Sequence, residues 1–157
     1  MSGPRSVQRF APLADERIST GPEAVLVEAW HRAHVDDSGP ATSRVTGQLP
    51  ISWDVDRDKA IARARVQFRW SAGGWDVNAS LPTPAGFAAA TQFVRPHDIT
   101  DTIACGPDLG AVLDAVRPFQ QAGNTDIALV QVGDEQQDRF LAEAAQPLLT
   151  ELRAVDG

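Results

Sequence analysis

The stretch AGNTDIALVQVG, Ala122 to Gly133, decides the fold. Within it, Asp126 to Val132 is almost entirely apolar and does not alternate. That is the pattern of a strand in a parallel sheet, covered on both faces. Gly133 ends it, and Gly123-Asn124 just before it reads as the C-cap of a helix over Leu109 to Ala122. Beyond Gly133, Phe140, Leu141, Ala144, Leu148 and Leu152 recur at helical spacing, so a last helix is expected over Gln136 to Arg153.

Working towards the N-terminus, the same alternation of strand and helix returns twice. Val45 to Trp53 reads as a strand, followed by a helix over Arg57 to Trp70 that Asp54 or Asp56 can cap. Before it, Arg17 to Thr20 reads as a short strand, Gly21-Pro22 as a break, and Glu23 to Val35 as a helix with Val25, Leu26, Ala29, Trp30 and Ala33 in phase. Asp36 to Ala41 is a loop by composition. Between the second helix and Leu109 lies an insertion. Ser71 to Gly86 reads as a long loop, Phe87 to Phe93 and Pro96 to Ile103 as two short helices, and Cys105 to Asp108 as a turn. Met1 to Arg9 reads as an irregular lead-in. Three strand–helix units with a helical insertion imply an α/β fold with a parallel sheet; the pattern alone does not separate a barrel from an open sheet.

Composition narrows the function. Of 157 residues, 43% are hydrophobic and 22% charged, and the net charge is −7. This is an ordinary globular balance, and the acidic excess disfavours both nucleic acid and anionic membrane surfaces as partners. The first residues lack the apolar core of a signal peptide, and the single cysteine, Cys105, suits a reducing compartment; a cytoplasmic location is expected.

Nothing in the chain forms a nucleophile–base–orienter set, and no phosphate-loop or zinc spacing occurs. Gly73-Gly74 lies in the insertion rather than between a strand and a helix. His31 and His34 share a helical face, but no cysteine or carboxylate completes a metal site, so none is expected. In parallel α/β folds, ligands gather at the C-terminal ends of strands. That rule selects Ser19 and Thr20 after the first strand, Trp53 after the second and Gln131 at the end of the third. Trp75, in the insertion, joins them as part of a lid. Each has a plainer reading as a cap, turn or packing residue. No catalytic residue is assigned.

Several longer strings carry a resemblance. RISTGP (17–22), FRW (68–70), GGWDVNASLPTPAGF (73–87), FVRP (93–96), ACGPD (104–108), AVRPF (115–119), AGNTDIALVQVG (122–133) and the closing helix resemble the F420-dependent oxidoreductases of the luciferase-like superfamily. The subgroup related to the glucose-6-phosphate dehydrogenases is the most similar. The likeness runs from about Phe10 to the end, so residues 10–157 are read as the C-terminal part of a TIM (β/α)₈ barrel, its sixth to eighth units, with the insertion between the seventh and eighth.

The resemblance implies hydride transfer between the deazaflavin coenzyme F420 and a small organic substrate, with FMN as the alternative cofactor. It also places the catalytic His, Trp and acidic residues and the main cofactor-phosphate loop in earlier units, and none is carried over. The insertion has no lysine, and Thr102 stands near the arginine that holds sugar phosphate in the subgroup; sugar phosphate is therefore disfavoured. A complete barrel takes about 250 residues. The expectation is a truncated C-terminal part, inactive alone, whose unclosed sheet associates with a second copy or with a separate N-terminal half. A non-catalytic half-barrel assembly module is the other class considered.

Overall fold

A computed structural model describes residues 3–36, 39–40 and 43–155; for 35–36, 39–40, 75–76 and 155 it describes the backbone alone. In chain order the elements are α1 (Pro4–Phe10), a 3₁₀ turn (Ala11–Leu13), β1 (Glu16–Ser19), α2 (Ala24–Ala33), β2 (Val35–Asp36), β3 (Gly39–Pro40), β4 (Arg44–Ser52) and α3 (Arg57–Phe68). There follow a 3₁₀ turn (Arg69–Gly73), α4 (Gly74–Ala79), α5 (Pro84–Ala90), α6 (Pro96–Thr100), β5 (Ala104–Cys105), α7 (Leu109–Gln121) and β6 (Asp126–Gln131). The chain closes with a 3₁₀ turn (Asp134–Gln136), α8 (Gln137–Phe140), a π-helical turn (Leu141–Ala145) and α9 (Gln146–Val155).

The expected α/β class and parallel pairing are present. β1 runs parallel to β4, Arg17 opposite Val45 and Ser19 opposite Gly47, and β5 runs parallel to the last two residues of β4. β6 also pairs with β4. Contacts divide the chain into two compact units, Met1–Leu49 with Asp114–Val130, and Pro50–Leu113 with Gln131–Gly157.

In the first unit, one face of the strands is covered by helices. Val45 of β4 joins Val7, Ala11, Leu26, Val27 and Trp30 in a buried cluster from α1, the turn after it and α2. Gly47 has no side chain because α7 lies close: a Cβ there would overlap the Phe119 ring. The opposite face is bare. Glu16, Ile18, Arg44, Gln48 and Ala128 are exposed, Ile18 by 63%, while Arg17, Ser19, Val45 and Leu49 between them are buried. Across that bare face, Arg44 donates to both carboxylate oxygens of Asp126, at 2.9 and 3.2 Å, and Thr46 donates to Glu16 at 2.5 Å.

This corrects one expectation: apart from Gln131, the residues of β6 are half-buried or exposed rather than enclosed on both faces. An apolar strand composition records the need for two covers, not their presence. The lead-in is corrected too, since Pro4 opens α1 from the first helical position, where its missing N–H is harmless. His31 and His34 do not face a common ligand space. The ring of His31 meets Ser43 Oγ and the Gly123 carbonyl, while that of His34 lies 2.9 and 3.0 Å from the Trp30 and Ala14 carbonyls.

In the second unit, Ala64 of α3 packs with Ile99 and Ile103, flanked by Phe68, Val94 and Cys105. Asp56 caps α3 by accepting from the Asp58 and Lys59 amides. The segment expected to be a long loop, 71–86, is mostly helical. Thr83 Oγ accepts the Gly86 amide at 3.1 Å and Pro84 opens α5, so the Pro-rich string starts a helix rather than interrupting one. β5 is a strand where a turn was expected, and the last helix is broken by the π turn.

Candidate functional site at the strand ends

The C-terminal end of β1 leads through Thr20, Gly21 and Pro22 into α2. Arg17 and Ser19 alternate with exposed neighbours and so point to the covered side of the strand. The Arg17 side chain is 1% exposed, and among the described residues its one ion-pair partner is the Glu23 carboxylate, at 3.3 Å. Charge-assisted pairs ordinarily close to about 2.7–2.9 Å, so the contact is long. Arg17 Nε and Nη1 and Ser19 Oγ are buried with no hydrogen-bond partner among the described residues. A buried guanidinium left in this state is costly, because desolvation is not offset by acceptors.

The helix that follows adds to this. Glu23 is the N-cap residue of α2 but its side chain makes no capping hydrogen bond, and the first turn contains no acid. Its carboxylate instead folds back over Gly21, with Oε1 3.4 Å from where a Cβ would sit. The Leu26 amide donates to the Glu23 carbonyl at 2.9 Å, and the Ala24 and Val25 amides with the positive end of the helix dipole remain available to an anion. The other helices that follow strands carry their own carboxylates. Asp56 caps α3, Asp108 accepts the Gly110 amide at 2.9 Å at the start of α7, and Asp134 and Glu135 stand in the turn after β6. The β1–α2 corner is a site rich in donors and short of acceptors.

A second corner lies in the other unit, where β4 and β6 end. The Gln131 side chain accepts the Trp53 amide at 3.0 Å and donates to the Trp53 and Val132 carbonyls at 3.1 and 3.2 Å. Trp53 itself is buried, with its ring 6.1 Å from that of Phe140 and the Arg139 guanidinium 5.9 Å from its centre. Next to it, Asp54 and Arg63 form a 2.6 Å ion pair, and Arg63 also reaches the Trp53 carbonyl at 3.4 Å. Burial acts to raise the Asp54 pKa. The Asp56 amide and the Arg63 guanidinium outweigh it and hold the carboxyl below its ordinary value. Gly133, at φ +91°, allows the chain to turn where a Cβ would overlap Arg63. Arg63, Val66, Gln67, Gly133, Asp134 and Glu135 border an open cleft of about 420 Å³.

The structure therefore brings Trp53 and Gln131 together, but their side chains turn inward and hold the strand ends. Ser19 is buried two residues after Arg17 on the same strand face, and Thr20 is exposed in the turn. Trp75 lies outside the residues whose side chains are described. Cys105 is half-buried, and burial pushes its thiol up to about 11, which leaves it a poor nucleophile at neutral pH. Arg17 and Glu23 were missed by sequence reasoning; an arginine inside an otherwise apolar-facing strand position was the available signal. Among the described residues, no group of three metal-binding side chains occurs. No described helix is long and apolar enough to cross a membrane.

No family model and no curated protein sequence matches the chain. Solved structures do. An F420-dependent secondary alcohol dehydrogenase, solved with an F420–acetone adduct, matches 81% of this chain at 18% identity and a TM-score of 0.55. The coenzyme F420-dependent tetrahydromethanopterin reductase from Methanopyrus kandleri matches 83% at 19% identity and a TM-score of 0.58. The matched regions are 40% and 43% of those chains, so this chain spans about two fifths of their length. The chain shares its fold with part of these F420-dependent oxidoreductases, as the sequence resemblance implied.

Proposed function

We propose that this chain is the C-terminal part of a luciferase-like (β/α)₈ barrel that transfers a hydride between coenzyme F420 and a small organic substrate. Its own contribution is an oxyanion-binding corner at Arg17, Ser19 and the start of α2. The observation that carries the reading is the buried Arg17, two residues before the C-terminal end of a parallel strand and ahead of a helix without a side-chain cap, with two nitrogens that have no partner among the described residues. The chemistry fits a phosphate or carboxylate of the cofactor or its substrate, and F420 is an anionic coenzyme. When bound, the deazaflavin supplies the redox chemistry. This chain's residues bind and orient, and the groups that act on the reacting atoms belong to barrel units outside it.

The bare face of β1, β4 and β6 supports the barrel. In a closed (β/α)₈ cylinder one strand face meets helices and the other meets the interior, and closure leaves no free edge. Glu16, Ile18, Arg44, Gln48 and Ala128 would then line the interior. The same face favours association of the isolated chain, with a second copy or with the remaining units, and size-exclusion chromatography would read it out as a concentration-dependent shift. The exposed Ile18 on that face supports a second reading, an assembly module that docks a protein without cofactor.

Fluorescence titration with F420 and, separately, with FMN distinguishes these. Weak F420 binding that Arg17→Met removes, and that strengthens at least tenfold when the first five barrel units are added, is expected. FMN binding in preference, or protein docking with no dependence on F420, would favour the alternatives.

A further inference from the structure

We propose that Glu23 is a built-in competitor for the oxyanion corner: its carboxylate occupies Arg17 in the empty state and must swing out for the ligand to enter. This rests on the reading of the corner given above and concerns how that corner is regulated.

Three observations carry it. First, the two partners are unequal, since the Arg17 side chain is 1% exposed and the Glu23 side chain 55%. The arginine is fixed by burial, whereas the glutamate can rotate into solvent at little cost. Second, the contact is incomplete. One carboxylate oxygen reaches Nη2 at 3.3 Å, while Nε and Nη1 have no partner. A tetrahedral or planar oxyanion brings two or more oxygens and matches the guanidinium fork better than this single contact does. Third, the carboxylate lies over Gly21, in the turn between the strand and the uncapped start of α2. An oxyanion bridging Arg17 and the α2 amides has to pass through that space.

Glu23 is thus an internal stand-in for the ligand. It offsets part of the buried positive charge while the corner is empty, and it repels an incoming anion until it moves. Gly21 keeps the turn free of a side chain that would block that movement. Sensitivity to ligand concentration follows: a weak anion does not displace the carboxylate, and a multivalent one does. Glu23 is a positioning residue here, since it acts through Arg17 and the turn.

The test uses the full chain with inorganic phosphate and pyrophosphate as probes, in low-salt buffer, by isothermal titration calorimetry and amide NMR. Glu23→Gln keeps the shape of the side chain and removes its charge. The proposal expects it to bind phosphate about tenfold more tightly than wild type, the effect of deleting one nearby like charge at a partly screened site. Arg17→Met loses the binding, and the Ala24 and Val25 amides shift on titration in both wild type and Glu23→Gln. Because Glu23 is exposed, the Glu23→Gln protein is expected to fold, and a circular dichroism melt confirms it. Equal affinity in wild type and Glu23→Gln, with binding still dependent on Arg17, overturns the gate and leaves the corner standing. Absence of phosphate and pyrophosphate binding in all three proteins overturns the gate and the corner together.

Discussion

The two units each bury an arginine, Arg63 on α3 and Arg17 within β1, and they solve the problem differently. Arg63 lies against Asp54 at 2.6 Å, with the Ser52 hydroxyl and the Trp53 carbonyl as further acceptors. Both members of that pair are inside the protein, and the pair ties α3 to the end of β4. Arg17 is more deeply buried, yet it has one long contact to an exposed glutamate and two nitrogens that meet no acceptor among the described residues. A complete pair is a structural fastening. An incomplete one marks a place where the protein by itself does not supply the acceptors, and that is where a ligand is expected.

The largest effect should come from breaking the complete pair. Asp54→Ala leaves Arg63 as an uncompensated, mostly buried charge, and a loss of roughly 3–5 kcal/mol in unfolding free energy is expected. Urea denaturation would measure it, and a loss below about 1 kcal/mol would mean that the pair is not a fastening. Arg17→Met should behave in the opposite way. Replacing an already under-satisfied charge by an apolar side chain of similar length is expected to be neutral or stabilising. If Arg17→Met costs as much as Asp54→Ala, the contrast between the two corners fails.

Gly133→Ala comes next. It places a Cβ against Arg63 at a backbone angle of φ +91°, and a cost of about 1–3 kcal/mol is expected. Gly21→Ala, in the β1–α2 turn, has neither a left-handed angle nor a close backbone neighbour, and should cost distinctly less.

Acid should act on the complete corner. Burial opposes ionisation of Asp54, but the Asp56 amide and Arg63 bring its folded pKa below the ordinary carboxylate value. A depressed folded pKa stabilises the fold above the unfolded value of about 3.9, and that contribution disappears as pH falls through the folded pKa. Melting temperature should therefore drop more steeply below pH 4 in wild type than in an Asp54→Asn variant. Parallel curves would show that Asp54 titrates as a free carboxyl.

The smallest effect concerns Cys105. With its thiol at about 11, labelling by a disulfide reagent in the folded chain should be slow up to pH 8 and accelerate only towards pH 11. Fast labelling at pH 7 would mean that β5 opens readily.

Much of this fold is legible in the amino-acid sequence. β1, β4 and β6 and the helices after them were legible because apolar runs and Gly, Pro or Asp punctuation agree at their ends. β5 was not, since two residues have no period. The string Pro82-Thr83-Pro84 reads as a breaker until Thr83 is seen as an N-cap, and that depends on its hydroxyl meeting Gly86. The π turn at 141–145 leaves the spacing of Phe140, Ala144 and Leu148 intact and so is silent in the sequence.

For the site, the rule that ligands gather at strand ends selects ends but not faces. Trp53 and Gln131 lie at those ends and turn inward, with the Gln131 amide saturated by backbone partners. Side-chain direction follows strand register, which the sequence alone left open. Ser19 is the residue that the rule selects on β1. Its neighbour Arg17 was passed over, although a charged residue two before it on the same strand face was the sharper signal.

The most direct measurement is an amide NMR titration of the chain with F420, with FMN as comparator. The largest shifts are expected on Ser19, Ala24 and Val25, absent in Arg17→Met and smaller with FMN. Shifts centred on Gly133 to Gln136, or none at millimolar F420, would contradict it.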